Sequence, residues 1–511
     1  MVDKSGHNTG PSVPGVEETQ GLRGNTENCG CPRNCTQRVR APLPLVSTGK
    51  AGANEDLPAK RPADSPHSRD ADRAGCTGSL MTREAQRVTL LTSFDRSSLT
   101  TAPRAFACPG LMRIVPARDG GLARLRLAGG VSSAHAARAV ARAARECGSG
   151  VIEVTNRANL QLRGIRDDAH AALIDIALEA GLGPSTAGAD DIRNVMLSPL
   201  ASDDTRALAD RIIDAMQADA SLHALSPKFA LQLDAGERLA MLDHPHDLWL
   251  CAIDDGARFA FGFAGTMRER PSGAIHRSDV VTFVSGVLRR FLALATPEEH
   301  RMRDLLARIG VARFLEAFDV DAAVQNWRRG PADASLRLGA HAEPFRATWY
   351  AGAQTPLGRL DATTLEALAD IADTQAEGRL TMTPWQSVLI PGIAAHDAHD
   401  VLQRLHALGL AIDPREPLAR LIACAGSEGC AKSRADTKAD AHRLASLLPS
   451  DEGEVHLSGC ERSCAAAHPV PVTLYAVAPG RYDLHRGART VAHDLTIEEA
   501  AGRLARSHAD A

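Results

Sequence analysis

The chain is poor in aromatic residues, at 4% of 511 positions. That scarcity excludes a base-stacking platform for single-stranded nucleic acid. It also lacks an excess of charge of either sign: 58 lysines and arginines face 62 aspartates and glutamates, for a net charge of -4. A strongly basic nucleic-acid binder is therefore excluded at the level of the whole chain. No apolar run reaches the roughly 18 residues of a membrane-spanning helix. The N-terminus is polar from its first residues and has no signal-peptide core. These absences predict a cytoplasmic protein with neither a membrane nor a nucleic-acid partner. Nucleotide fingerprints are missing too: no G-x-G-x-x-G stands between a strand and a helix, and there is no P-loop. What is present is a globular composition, 44% hydrophobic and 23% charged, long enough for about three domains.

The composition is not uniform. Residues 1–104 are rich in Gly, Pro, Ser, Thr, Asn and Asp and carry no sustained apolar period. Such a segment buries too little surface to offset the entropy of ordering it, so it is expected to be a disordered extension. Its "CGCPRNC" has metal-ligand character, but a tail is the simpler reading, and Met81 is an alternative start. From Cys108 the pattern turns globular. "LARLRLA" (122–128) alternates as a strand does. "SSAHAARAVARAARECG" predicts a helix opened by a serine cap and closed by Gly148. "VIEVT" and "NLQLR" predict two short strands joined near Asn156–Ala158. Further on, 203–219 reads as an amphipathic helix. "KFALQLD", "LWLCAI" and "RFAFGF" read as strands. Residues 278–328 read as helical with a break near Pro297, and 330–345 as a linker.

The chain also repeats itself. "GVIEVTNRANLQLRGI" (150–165) aligns on "GRLTMTPWQSVLIPGI" (378–393) without a gap, Gly150 falling on Gly378 and Ile165 on Ile393. The same shift carries Ser133 onto Asp361 and "AGLGP" onto "LGLAI". A repeat this long predicts duplicated domains packed about a pseudo-twofold axis, with a ligand crevice between them. The copies diverge where chemistry is expected. Arg157, Asn159 and Gln161 stand in the first copy; Trp385, Ser387 and Leu389 replace them in the second. Drift on a solvated edge is the plain alternative.

Four of the eleven cysteines form two paired loops. "CAGSEGC" supplies Cys424 and Cys430; "SGCERSC" supplies Cys460 and Cys464. The small residues around them let a backbone wrap a bulky inorganic core and aim amides at sulfur. Four such thiolates suit a [4Fe-4S] cluster. Zinc is the rival ligand, although its sites favour C-x2-C to C-x4-C knuckles. In a reducing compartment, disulfides are the weaker reading.

C-x5-C followed about thirty residues later by C-x3-C resembles the signature of the sirohaem-dependent nitrite and sulfite reductase family. The resemblance covers roughly 105–511. It implies an α+β fold of duplicated architecture: two ferredoxin-like half-domains and two α/β tetrapyrrole- and cluster-binding domains in pseudo-twofold arrangement. The expected segments are 105–170 and 340–396 for the half-domains. The α/β domains are expected at 171–330 for the tetrapyrrole and at 397–511 for the cluster. The resemblance further implies that Cys424, Cys430, Cys460 and Cys464 ligate the cluster, the last also bridging to a sirohaem iron.

It also implies a basic rim for a tetrapyrrole rich in carboxylates. Thr155, Asn156 and Arg157 match its T-x-R element, and Arg193 and Asn194 its R-N element. Lys228 matches the first lysine of a lysine pair, but Ala230 stands where the second is expected. Arginine suits carboxylates through its planar, bidentate fork, so Arg157, Arg163, Arg193 and Lys228 are candidates on chemistry as well.

"CPGLMRIVPARDGGLARLRLAGG" (108–130) and "DDIRNVMLSP" further resemble the branch of the family that serves aerobic cobalamin biosynthesis. There the tetrapyrrole, precorrin-3A, is the substrate. It is hydroxylated at a meso carbon with O2 and closes a γ-lactone, in an iron–sulfur-dependent monooxygenase reaction. That resemblance implies an additional mononuclear iron, for which His244, His246, His341 and His468 are available. Taken singly, each of the four reads as a surface residue. Cys108 is taken as a structural thiol. With no nucleotide site in the chain, electrons are expected from a ferredoxin or an NADH-dependent reductase. The alternatives are a sulfite or nitrite reductase carrying sirohaem, and a tetrapyrrole carrier without catalysis.

Overall fold

The computed structural model describes residues 108–344, 346–448 and 452–509. The extension expected over 1–104, with "CGCPRNC" and Met81, lies outside the described residues.

The first sheet grows from alternation. In "GGLARL", Gly121, Ala123 and Leu125 point inward while their neighbours face out, the period of a half-buried strand. The chain runs through β1 (Val115–Ala117), β2 (Gly120–Leu125) and β3 (Val131–Ser133), then helix Ala134–Cys147, β4 (Val151–Val154) and β5 (Leu160–Ile165). Ser133 caps the helix as expected, its Oγ accepting from the Ala136 amide. Gly148 follows the last turn. Helix His170–Glu179 closes the unit.

A parallel layer follows. β6 (Val195–Met196), β7 (Leu231–Asp234) and β8 (His246–Ile253) pair in parallel, and β9 (Arg258–Gly265) and β10 (Gly273–His276) add antiparallel strands. Helices Asp203–Ala218 and Val280–Leu294 cover the sheet around a phenylalanine-rich core. The helical run breaks at 295–301 and resumes at Met302–Ile309, as the sequence predicts around Pro297.

The second half repeats this plan. β11 (Gly339–Ala342), β12 (Trp349–Gln354), β13 (Arg359–Asp361), helix Ala362–Gln375, β14 (Arg379–Met382) and β15 (Ser387–Ile393) come first. The stretch expected as a linker near 330–345 thus contains a strand, because Gly339–Ala342 pairs with Trp349–Gly352 along the sheet edge. Asp361 caps its helix at the Thr364 amide, the role Ser133 plays in the first copy. The left-handed turn residues repeat with the same shift: Ala158 at φ 55° and Gln386 at φ 62°. Ser133→Ala and Asp361→Ala should each cost about 1 kcal/mol of stability, the usual worth of an N-cap, as read by chemical denaturation. A second parallel layer, β16 (Leu421–Ala423), β17 (Val455–Ser458) and β18 (Val472–Ala478), ends in antiparallel β19 (Arg481–Arg486) and β20 (Arg489–Leu495).

The two ferredoxin-like sheets exchange strands. The first has the order β1-β2-β5-β4-β13 and the second β11-β12-β15-β14-β3. β13 from the second copy pairs with β4, and β3 from the first pairs with β14. The two equivalent helices share one core, from Val140 and Ala144 to Leu365 and Ala369. Arg138 adds ion pairs to Asp370 and Asp373 across the same seam. No helix among the described residues is long and apolar enough to cross a membrane.

Candidate functional site

The cysteine loops leave neighbouring strand ends. β16 and β17 run parallel, with Ala423 beside Leu457, so Cys424 and Cys460 follow the same edge of the sheet. The Gly459 amide donates to Cys424 Sγ at 3.2 Å. The loops are packed so closely that side chains do not fit. A Cβ on Gly459 would lie 1.8 Å from Ser433 Oγ, and one on Gly429 would lie 2.3 Å from Arg163 Nη2.

Cys464 opens to the cleft but has protein on its other sides. That desolvation, then Cys424, Cys460 and Cys430, pushes its thiol up to about 11. The other three cysteines therefore act on Cys464, which as a free thiol resists ionisation. An iron–sulfur core reverses this, because its positive iron favours each thiolate. Glycine-lined loops, an amide aimed at sulfur and three cysteines within electrostatic reach of Cys464 fit a [4Fe-4S] cluster, for which Cys424, Cys430, Cys460 and Cys464 are the candidate ligands.

A cavity of about 270 Å³ opens beside Cys464. Asn156 and Arg157 enter it from the β4–β5 turn, His244 and Pro245 from the β7–β8 connection, and His246 and Asp247 from the start of β8. Arg301 and Arg303 come from the start of helix Met302–Ile309, and Arg462 from the second cysteine loop. The Asn156 side-chain amide donates to the Cys464 carbonyl at 3.0 Å, tying the T-x-R turn to the last cysteine. Asp247 clamps Arg301 at 2.9 Å and accepts from the Ala230 and Met302 amides.

Arg157 has no carboxylate within salt-bridge distance among the described residues. Burial, then Arg301, pushes its guanidinium down to about 10, against the pull of Asp247. It still carries its charge at neutral pH, desolvated and without an anion. Such a cation has most to gain from a ligand carboxylate.

Arg157 and His246 also line a smaller inner pocket with Arg193, Asn194 and Ala230. Arg193 is pushed down to about 10 by burial, despite Asp190 at 3.5 Å. Its Nε is buried without a partner.

Three expectations are corrected here. Asn194 lines the inner pocket, but its amide is already spent: Nδ2 donates to the carbonyls of Asp191, Pro227 and Phe229, and Oδ1 accepts from Arg126. Those bonds make it a residue that holds the rim in place. Lys228 is exposed and lines neither cavity, because the buried flanks Phe229 and Ala230 turn it outward. Arg163 belongs to no rim. It pairs with Asp119 and Glu153 and donates to the Gly429 carbonyl at 2.8 Å, so it braces the first cysteine loop.

The candidate histidines separate in the same way. His341 sits on β11, bonded to the Leu338 carbonyl and packed on Tyr350, away from the cavity. His244 and His246 stand together in the cavity wall, with ring centroids 4.7 Å apart. His246 Nδ1 donates to the His244 carbonyl at 2.8 Å, which leaves Nε2 as a bare acceptor, buried and unpartnered. Burial, then Arg157, pushes His246 down to about 3, so the ring is neutral. Among the described residues, no three His, Cys, Asp or Glu side chains are grouped as ligands of a single metal ion.

Sequence reasoning missed Arg301, Arg303 and Arg462. The first two reach the cavity only through tertiary packing. Arg462 was legible, since it lies between Cys460 and Cys464. A second repeat was also missed. β7–β8 and β17–β18 correspond in register, since Leu231 pairs with Leu248 as Val455 pairs with Val472. Glu237, Arg238, His244 and Pro245 then fall on Glu461, Arg462, His468 and Pro469. Gly236 and Ala240 stand where the second copy has Cys460 and Cys464.

Comparison with known proteins agrees with this architecture. Residues 115–180 and 345–408 match the nitrite/sulfite reductase ferredoxin-like half domain. Residues 188–325 match the nitrite and sulphite reductase 4Fe-4S domain, which is the copy of the parallel layer that lacks the four cysteines. A precorrin-3B synthase from Sinorhizobium sp is 27% identical over 75% of this chain and 82% of its own length. The chloroplastic ferredoxin–nitrite reductase of Zea mays is 27% identical over 67% of each chain. The fold matches that of the Mycobacterium tuberculosis NirA protein, with a TM-score of 0.64 and 20% identity over 76% of this chain and 80% of that one.

Proposed function

The chain belongs to the nitrite and sulfite reductase family of iron–sulfur oxidoreductases, and we propose that it hydroxylates precorrin-3A with O2, as a precorrin-3B synthase. The observation that carries this reading is Ala230. In the reductase pattern a second lysine stands at that position. Here a buried methyl group lines the inner pocket, its backbone amide held by Asp247. The walls keep Arg157 and Arg193, which suit a carboxylate-fringed macrocycle. They have no ammonium to grip a small inorganic anion. The similarity to a precorrin-3B synthase over most of both chains supports the same choice.

In the hydroxylation, a meso C–H and O2, with two electrons and two protons, give C–OH and water. The ring A acetate then adds across a double bond of the neighbouring ring carbon, its oxygen bonding to that carbon and its proton passing to the atom at the other end of the opened π bond, so the lactone closes with no further oxidant. The cluster on Cys424, Cys430, Cys460 and Cys464 would supply electrons one at a time. A donor protein of the ferredoxin class would reload it. Arg157, Arg193, Arg301, Arg303 and Arg462 bind and orient the carboxylates.

The test is the absorption spectrum of protein purified without oxygen. An iron–sulfur shoulder without tetrapyrrole bands is expected, followed by O2 uptake only when precorrin-3A and reduced ferredoxin are added. Strong sirohaem bands would overturn the reading in favour of a nitrite or sulfite reductase. The similarity to plant nitrite reductases keeps that alternative specific.

A further inference from the structure

The polar side chains of the cavity beside Cys464 are mostly donors, or are already spent. Arg157, Arg301, Arg303 and Arg462 line it, and a guanidinium has no lone pair to offer. Asn156 gives its amide to the Cys464 carbonyl. The Asp247 carboxylate is taken by Arg301 and by the Ala230 and Met302 amides. His246 is different. It is 2% exposed, yet it lines both the outer cavity and the inner pocket. Its Nδ1 stands 2.8 Å from the His244 carbonyl. A carbonyl only accepts, so Nδ1 carries the hydrogen and Nε2 keeps a bare lone pair. Nε2 is buried and has no partner among the described residues.

That acceptor is held in place. Pro245 lies between the two histidines and restricts the backbone on both sides. The His244 imidazole packs against that of His246, with centroids 4.7 Å apart. A buried acceptor left unpaired is costly, so it calls for a ligand that brings a donor. Ala230 gives the same inner pocket only a methyl group. The carboxylates of a macrocycle do not serve either, because an ionised carboxylate only accepts. They suit the arginines and leave His246 unanswered. A tetrapyrrole without metal has a different donor, the N–H groups at its core. Iron replaces those hydrogens with Fe–N bonds, so the chelate has none to give.

We propose that His246 is a specificity-determining residue: its Nε2 accepts a hydrogen bond from a core N–H of the tetrapyrrole and so selects a metal-free macrocycle over its iron chelate. The inference rests on the functional reading, in which the macrocycle enters as substrate and not as sirohaem. Burial, then Arg157, pushes His246 down to about 3, so the lone pair stays free of a proton at neutral pH. A site built around a substrate N–H rejects the analogue that lacks it, because the acceptor is then left unpaired.

The test titrates cluster-loaded protein, without oxygen, with sirohydrochlorin and with sirohaem, which is the same macrocycle carrying iron. Absorption reads both affinities. His246→Leu should bind sirohydrochlorin roughly tenfold more weakly than the wild type, the scale of one lost hydrogen bond, and sirohaem within about twofold of it. The retained sirohaem affinity shows that the variant is folded. His246→Phe keeps an aromatic ring without the acceptor and gives the same comparison if the leucine variant does not fold. Equal losses for both tetrapyrroles, or no loss for either, would overturn the inference. So would a loss confined to sirohaem, since Nε2 would then be an iron ligand. Sirohaem bands in the purified wild type would overturn the functional reading and this inference with it. A wild type free of sirohaem, with variants that treat the two macrocycles alike, would overturn the inference alone.

Discussion

Cys464→Ser should abolish the visible iron–sulfur absorption and lower turnover by more than about a hundredfold, since even outer-shell partners of a metal site are worth ten- to a hundredfold. Serine keeps the size of cysteine but not an atom that ionises readily. Cys464 is also the thiol that both feels the other three and lines the cavity, so its loss opens the cluster toward the substrate. A control separates this effect from general damage. Cys147 is buried in the helix core and is not one of the four, and Cys147→Ala should keep the absorption. Iron–sulfur absorption and full turnover retained in Cys464→Ser would refute the quartet.

Arg157→Gln should weaken tetrapyrrole binding roughly ten- to a hundredfold, because a hydrogen bond to a charged group contributes about 1.5–3 kcal/mol. The same substitution should raise the melting temperature of the ligand-free protein. It removes a desolvated cation that Arg301 and Arg126 repel. Opposite signs on binding and stability are the mark of a site strained for its ligand. Arg157→Lys should recover only part of the affinity, since an ammonium has no planar fork. Tetrapyrrole titration beside a thermal melt reads both quantities. Unchanged affinity in Arg157→Gln would end its role at the rim.

Much of the frame was legible because it is local. Ser133 and Asp361 announce their helices through one side-chain oxygen each. The first repeat survives as landmarks whose backbone needs are strict, such as Gly164 and Gly392 at positive φ. The cysteine loops are legible because close packing leaves room for little besides small residues. The strand exchange was not legible. An alignment of copies says which strands are equivalent, but not whose edge each one completes. Arg301 and Arg303 reach the cavity through the fold of a remote helix, and nothing in "HRMRD" signals it. Arg163 and Asn194 have the residue types of ligand-binding groups, but their partners are internal and far apart in sequence. The second repeat was hidden because its identities are few and its offset differs from that of the first.

The exchanged strands also set a timetable. β4 is complete at Val154, but its outer neighbour β13 ends at Asp361. At about 5–20 residues per second of synthesis, the first sheet waits roughly ten to forty seconds for its fifth strand. Through that interval β4 presents an unpaired edge to the cell, a template for wrong partners. Truncating the nascent chain before β13 therefore leaves the first half exposed along that edge, however complete its own sequence. Duplication built the cavity between two copies, and it made the early copy dependent on the late one.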